Sequence, residues 1–397
     1  MSTPQITVVM PCLNEAETLA TCIRKAQEGF AAAGIEGEVL VADNGSTDGS
    51  IEIAKTHGAR VEHVTAKGYG NALRGGIAAA RTPWVIMGDA DDSYDFTKIA
   101  GFVAELRKGA DLVMGCRLPS GGGTISPGAM PWKNRWIGNP SLSFLGRLFF
   151  RTPIHDFHCG MRGFTKDAIE RMDLRTTGME FASEMVMKAQ LKGLRVVEVP
   201  ITLHKDGRSR PPHLKPWRDG WRHLRFMLIY SPRWLFLVPG MVAFVLGALG
   251  LLITAAGPRT LGGVTLDVGT MVASAMLMLL GFQTVAQAFY AKVFAIGAGL
   301  LPDDARFAES FRYFNLERGC IAGLLLMVTG AGLFGTALLR WAMTGFGDLD
   351  AAVNLRLVVP GTAVAILGIQ VISSSFHLSV LGLNTTGRTP PTPPTRS

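Results

Sequence analysis

Apolar residues follow two different rhythms along this chain. In the first half they come in short runs, Ile6–Met10, Val39–Val41, Arg60–Val64, Trp84–Met87 and Asp111–Met114, separated by stretches with helical spacing. Short β-rich runs alternating with helices predict an α/β fold with a mostly parallel sheet. In the second half the rhythm gives way to four unbroken apolar runs, Trp234–Ala256, Val268–Tyr290, Cys320–Leu339 and Leu357–Leu381. Each has the roughly 20 residues that a helix needs to cross a bilayer. None contains Asp, Glu, Lys or Arg, and His377 is the one histidine inside them. The pattern divides the chain into an α/β domain over 1–203, a joining segment over 204–233, a four-helix membrane domain over 234–384 and a Pro-rich tail over 385–397 that reads as disordered.

Charge sharpens this division. Charged residues make up 18% of the chain, against about 25% in ordinary soluble proteins. The deficit lies in residues 234–397, which hold 9 basic and 7 acidic side chains. Of the formal net charge of +8, residues 204–233 contribute +6, from 8 Lys/Arg and 2 Asp. There the cations interleave with Trp217, Trp221 and Phe226, and the run Trp132-Lys133-Asn134-Arg135-Trp136 repeats the combination. Basic and aromatic residues together predict helices lying in the membrane interface, with Trp217 and Trp221 as buried core residues the alternative. A wholly soluble enzyme, a disordered chain and a simple nucleic-acid binder all fit this distribution poorly.

The loop 291–319 carries Lys292, Arg306, Arg312 and Arg318, whereas the loops around Arg259 and between Arg340 and Arg356 hold one and two basic residues. The positive-inside rule therefore places both termini and the α/β domain in the cytoplasm. Spans without internal charge argue against an ion pathway. Gly247, Gly250, Gly323, Gly330, Gly332 and Gly335 are expected to let helices pack closely. The five cysteines are scattered and form no CxxC pair, so they read as reduced thiols.

Candidate chemistry concentrates where the strands end. Function in a parallel sheet gathers beyond the carboxyl ends of its strands. Pro11-Cys12-Leu13-Asn14-Glu15 follows the first run, Asp43-Asn44-Gly45-Ser46-Thr47-Asp48 the second, and Gly88-Asp89-Ala90-Asp91-Asp92 the fourth. Carboxylates on one rim suit a nucleotide diphosphate: one accepts from base or ribose while another holds a hard cation, Mg²⁺ or Mn²⁺, whose remaining ligands come from phosphate.

In order along the chain, Val9 to Glu15, Val41 to Gly49, Lys67-Gly68-Tyr69-Gly70, Gly88 to Asp91, Met114-Gly115-Cys116-Arg117, Asp156 to Arg162 and Gly207-Arg208-Ser209-Arg210 resemble the family 2 glycosyltransferases of GT-A fold. Within them the chain is most similar to the polyprenyl-phosphate (dolichol-phosphate) hexose synthases. The resemblance spans about residues 5–210. It implies inverting transfer of one sugar, and the Q-x-x-R-W signature of processive synthases is absent from the sequence. It also implies that Pro11, Leu13, Asn14, Glu15, Asp43, Lys67, Asp89, Ala90 and Asp91 bind the nucleotide sugar, with Asp89 and Asp91 at the metal. Asp91, Asp156, Arg117 and Arg162 are the expected catalytic group. The chain departs from the family pattern at Asn44, in place of a second Asp, and at Ser93, in place of Gln, which leaves one expected metal ligand open. Lys205 and Arg210 exchange an expected Arg and Lys.

The acceptor separates two mechanisms. A hydroxyl needs a carboxylate to take its proton, and Asp156 or Glu184 is available in the sequence. A polyprenyl phosphate is already largely ionised near neutral pH and needs cations to position it instead. Arg135, Arg162, Lys205, Arg208, Ser209 and Arg210 supply such a clamp. The expectation is a membrane-anchored hexosyltransferase acting on a lipid phosphate. The rivals are an enzyme acting on a lipid or saccharide hydroxyl and a non-catalytic nucleotide-sugar-binding membrane protein. The donor sugar, its base and assembly into a homo-oligomer stay open.

Overall fold

The computed structural model describes residues 5–209, 216–302, 304, 307, 309, 315–348 and 350–383. They form two compact units that divide between Met227 and Leu228.

The first unit is built on a seven-stranded sheet. Its strands are β1 (Ile6–Cys12), β2 (Gly37–Asp43), β3 (Arg60–His63), β4 (Trp84–Met87), β5 (Leu112–Cys116), β7 (Arg162–Thr165) and β8 (Val196–Pro200), in the order β3-β2-β1-β4-β7-β5-β8. A short side pair joins β6 (Thr124–Ile125) to β9 (Thr202–Leu203). The helices are α1 (Leu19–Ala33), α2 (Ser50–Thr56), α3 (Tyr69–Ala79), α4 (Ala100–Arg107), α5 (Asn139–Phe150), α6 (Lys166–Met172), α7 (Phe181–Leu191) and α8 (Pro216–Ile229). β1 is apolar along nearly its whole length because it is buried on both faces, as a central parallel strand must be.

The expected mostly parallel sheet is present, with one exception that matters for the site. The chain builds outward from β1 to β3 and then returns to place β4 on the other side of β1. That reversal opens a crevice beyond the carboxyl ends of β1 and β4. β7 runs antiparallel between β4 and β5. Its beginning, not its end, therefore reaches the same rim and carries residues 156–161 there. Neither β7 nor β8 is among the strands expected from hydrophobic pattern. β7 is only four residues, Arg-Gly-Phe-Thr, and has no apolar run to announce it.

The second unit contains α9 (Val238–Ala255), the hairpin β10 (Arg259–Leu261) and β11 (Val264–Leu266), α10 (Val268–Gly297), α11 (Leu316–Met343) and α12 (Ala351–Leu383). All four helices are long and apolar enough to cross a membrane, the first counted from Arg233. α10, α11 and α12 extend past the apolar runs that predict them. α9 packs chiefly on α10, α10 on α12, and α12 on α11. Glycines set the spacing: a Cβ on Gly247 would lie 2.2 Å from Met278 N, and one on Gly330 2.5 Å from Ala365 N. Gly250 and Gly323 also meet a neighbouring helix, whereas Gly332 and Gly335 face open space and pack against nothing.

Candidate active site

The turn after β1 is shaped by the turn after β2. Asn14 takes a left-handed conformation, φ 60°. Its side-chain oxygen accepts the Thr47 N–H at 2.8 Å, and its own N–H donates to Ser46 Oγ at 2.9 Å. Asp43, 3% exposed, accepts the Gly45 N–H at 3.1 Å and the Ser46 N–H at 3.0 Å. Burial alone would raise its carboxyl, but these bonds hold it below the ordinary Asp value. Asn44, in place of the family's second Asp, organises the approach to α3. Its amide donates to the carbonyls of Val64 and Ala66, and its oxygen accepts the Gly68 N–H. Lys67 Nζ donates to the Asn44 carbonyl at 2.6 Å, passing where a Cβ on Gly45 would stand.

Asp89 and Asp91 follow β4 into the crevice. Tyr69 Oη donates to Asp89 Oδ1 at 2.9 Å. Burial, with the neighbouring charge of Asp91, pushes the Asp89 carboxyl up to about 6. The Ala90 carbonyl accepts from Thr18 Oγ1 at 2.6 Å. Asp91 Oδ1 accepts from Ser93 N–H at 3.0 Å and Ser93 Oγ at 2.6 Å, so Ser93 orients Asp91. Asp91 Oδ2 accepts from Arg208 Nη2 at 2.7 Å.

Arg208 also reaches Glu15 at 3.2 Å and Asp206 at 3.3 Å. It stands on a segment returning across the rim after β9. The His204 N–H donates to the Ser93 carbonyl at 2.9 Å, the Gly207 N–H to the Asp91 carbonyl at 3.0 Å, and Ser209 to Glu17 through both N–H and hydroxyl. A cleft of about 230 Å³ lies here, lined by Asn14, Glu15, Glu17, Thr47, Asp48 and Arg208. Pro11 lies half-buried and Leu13 exposed beside it in the chain.

A divalent cation fits the end of β4. The donors are hard carboxylate oxygens, and the two neighbouring negative charges repel unless a cation stands between them. A Cβ on Gly160 would come within 2.9 Å of Asp89 Oδ2, so the missing side chain keeps that oxygen clear. Among the described residues no cluster of three or more Asp, Glu, His or Cys surrounds one point. Asp89 and Asp91 would therefore hold an ion together with phosphate oxygens.

Arg117 and Asp156 form the tightest buried pair. Nε and Nη2 of Arg117 donate to Asp156 Oδ2 and Oδ1 at 2.7 and 2.9 Å, and the Arg117 N–H donates at 3.0 Å. Glu198 of β8 accepts the N–H groups of His155 and Asp156 and fixes this turn. Burial would raise the Asp156 carboxyl, and the Arg117 charge more than offsets it, leaving it lowered. Glu184 is also wholly buried; it accepts from the Arg175 and Thr176 N–H groups, Thr176 Oγ1 and Lys188.

Among the described residues the expected cation clamp does not assemble as a single cluster. Arg162 is wholly buried and donates to the carbonyls of Cys159, Ala182 and Phe157, where it braces the start of β7 and has no face toward an acceptor. Arg135 lies over the Trp136 ring at 5.4 Å, and Lys205 is exposed. Arg210 lies outside the described residues. Tyr69, Tyr94, whose hydroxyl accepts the Gly160 N–H at 2.8 Å, and Glu198 belong to the site although sequence reasoning assigned them no role. Tyr69 lies inside the family-like segment Lys67–Gly70 and Glu198 inside Val197–Pro200, which also fits the family pattern, but nothing in the sequence marks Glu198 as the brace of residues 155 and 156.

Trp132, Trp136 and Phe144, on and before α5, are 65%, 60% and 55% exposed, and Trp217 and Trp221 of α8 are 87% and 59% exposed. The alternative of Trp217 and Trp221 as core residues is thereby excluded.

Comparison with known proteins agrees with this architecture. The family model "Glycosyl transferase family 2" matches residues 7–173, and "Glycosyltransferase family 2 C-terminal transmembrane region" matches 289–382. The low-salt glycan biosynthesis hexosyltransferase Agl6 of Haloferax volcanii is 38% identical over 382 residues, covering 96% of this chain and 89% of that protein. A dolichyl-phosphate hexose transferase of the same organism is 29% identical over 219 residues, 54% of this chain and 89% of that one. Among solved structures, glucosyl-3-phosphoglycerate synthase from Mycobacterium tuberculosis, in complex with Mn²⁺ and UDP, aligns with a TM-score of 0.45 at 21% identity over 57% of this chain and 80% of that one. The extent of the match to Agl6, and the two family regions in their order, make this chain a member of the family 2 glycosyltransferases, with the family's C-terminal transmembrane region.

Proposed function

We propose that the enzyme transfers a single hexose, with inversion, from a nucleoside-diphosphate sugar to a polyprenyl phosphate at the cytoplasmic face of the membrane. The observation that carries the choice of acceptor is the state of the two carboxylates put forward as a base. Asp156 and Glu184 are both 0% exposed and committed to buried partners, Arg117 for one and Lys188 with the Thr176 loop for the other. Both are closed off from solvent and spent on partners within the fold, which leaves neither free to take a proton from an acceptor hydroxyl, whereas a phosphate oxygen needs no base.

The donor's nucleotide is assigned to the crevice between the β1 and β2 turns, with Asp43, Lys67 and the 11–15 turn around it. Asp89 and Asp91 would hold a divalent ion, which would supply charge neutralisation of the departing diphosphate. Tyr69 and Ser93 hold those two carboxylates in place. Arg117, locked by Asp156, presents a fixed positive charge beside the leaving group. Arg208, with Lys205, Arg210 and Arg135, is the acceptor's cation supply, with Ser209 in the same segment as Arg208. Lipid presentation is assigned to the exposed aromatics of α8 and the α5 region, and the cytoplasmic location rests on the Lys/Arg excess in loop 291–319. The hexose and the lipid class are carried over from the two Haloferax relatives' names.

The test is transfer by the purified full chain from labelled GDP- and UDP-hexoses to polyprenyl phosphate and, in parallel, to the corresponding polyprenol. A product labile to mild acid, formed with the phosphate alone, is expected. Equal transfer to the polyprenol would turn the assignment to a hydroxyl acceptor.

A further inference from the structure

α10 carries two carboxamide side chains on its exposed face, within the apolar run Val268–Tyr290. α10 turns one face, including Met271, Ser274, Met278 and Gly281, toward its helix neighbours. Its opposite face shows Ala273, Met276, Leu280, Gln283, Gln287 and Phe294 as exposed, at steps of three, four, three, four and seven residues. Any helix buried on one side leaves such a stripe, so spacing alone decides nothing. The two glutamines do. Gln283 lies four residues past the middle of the apolar run Val268–Tyr290. Gln287 lies about 6 Å further along the axis at ~1.5 Å per residue, so both fall within the roughly 30 Å hydrocarbon layer.

Three threonine hydroxyls in these spans are satisfied by their own helix. Thr284, Thr329 and Thr336 each donate to the backbone carbonyl four residues earlier, at 2.7, 2.8 and 2.8 Å. Gln283 and Gln287 have no hydrogen-bond partner among the described residues. A carboxamide in hydrocarbon without one is costly, and it carries both donor and acceptor groups.

We propose that this face of α10 is a self-association seam, occupied by α10 of a second copy of the chain. Copies inserted in the same orientation are related by a two-fold axis along the membrane normal, which makes the two helices parallel. Position 283 then meets 283, and 287 meets 287. A carboxamide is complementary to itself, donating N–H and accepting at C=O, so each pair closes with reciprocal hydrogen bonds. The three-four spacing is the repeat that keeps two such helices in continuous contact, and polar residues at its core fix register. A polyprenyl tail offers no donor or acceptor at this depth, which leaves a protein partner, and self-complementarity selects the same chain.

The test is disulfide formation in native membranes from the full chain with Cys320→Ser, the other cysteines being buried. Single Gln283→Cys and Leu280→Cys variants are compared with Leu325→Cys, an exposed position on α11. Dimeric cross-links at 280 and 283, at least tenfold above those at 325, are expected. The double variant Gln283→Leu, Gln287→Leu, whose insertion is favoured by its added hydrophobicity, should raise the dimer dissociation constant at least tenfold in lipid nanodiscs. Cross-linking at 283 no greater than at 325 overturns the proposal. So does an unchanged dimer constant in the double variant, and so does loss of acceptor affinity there without change in association, which would make the face a lipid site.

Discussion

Arg208 Nη2 stands 2.7 Å from Asp91 Oδ2, so an arginine from the end of the α/β unit bears on the carboxylate proposed to hold the cation. Glu15 and Asp206 share the same guanidinium. A divalent ion held by Asp91 would compete with Arg208 for that oxygen, and an arginine displaced from Asp91 would become available to a phosphate. Replacing Arg208 with Ala should therefore move two constants in opposite directions. The Mn²⁺ concentration for half-maximal binding should fall, read by calorimetry, while KM for polyprenyl phosphate rises about tenfold or more, the scale of one lost charge-assisted contact of about 1.5–3 kcal/mol. Unchanged cation binding would break the competition argument.

Asp91→Asn keeps the shape and removes the charge. Transfer should fall by about 10²–10³, the loss typical when one element stabilising transition-state charge is removed. Circular dichroism should be unaltered, because Asp91 is a rim residue. Chelation should abolish wild-type transfer, with Mg²⁺ or Mn²⁺ restoring it; full turnover in chelator would remove the metal from the scheme.

The Arg117–Asp156 pair predicts a stability result distinct from an activity result. Asp156→Ala strands a buried guanidinium and should cost about 3–5 kcal/mol in denaturant unfolding of the soluble unit. Combining Asp156→Leu with Arg117→Met should recover most of that stability and none of the transfer. Recovery of both would make the pair structural only.

Acid should weaken the soluble unit in a defined window. Asp43, Asp156 and Glu184 are all held below their ordinary values in the folded chain. A depressed carboxyl contributes stability above its unfolded value, about 3.9 for Asp and 4.3 for Glu, and loses it as pH falls through the lower folded value. Asp89, raised to about 6, acts in the opposite sense, and its folded state gains as pH drops from there toward 4. Buried His158, held well below the usual imidazole value by desolvation, loses stability as pH falls below about 6.5 and opposes the Asp89 gain, so urea midpoints should change little between about pH 6 and 4 and fall steeply below it. A midpoint that stays unchanged well below pH 4 would contradict the carboxylate assignments.

The exposed tryptophans give a lipid-dependent prediction. Replacing Trp217 and Trp221 together with Ala should raise the apparent KM for polyprenyl phosphate in bilayers severalfold and leave Mn²⁺ binding untouched. Equal loss with a short-chain soluble acceptor would instead assign them to folding.

Much of this protein is determined locally and was legible in the sequence. A central parallel strand is apolar throughout, a bilayer span needs an uncharged run, and polar strand ends in Pro11–Glu15 and Gly88–Asp92 mark the rim, because each property belongs to a continuous stretch of chain. The resemblance of motifs also put Arg117, Asp156, Arg208 and the Asp89–Asp91 pair on the page. What each does depends on residues distant in sequence. Only the antiparallel insertion of β7 turns residues 156–161 toward Asp89, and only packing shows Arg162 spent on carbonyls, Asp156 spent on Arg117, and Glu198 bracing both His155 and Asp156. A charge in a sequence has no direction; burial and partners supply it. The same holds in the membrane, where Gln283 and Gln287 look like two incidental amides until the packing of α10 shows them facing outward.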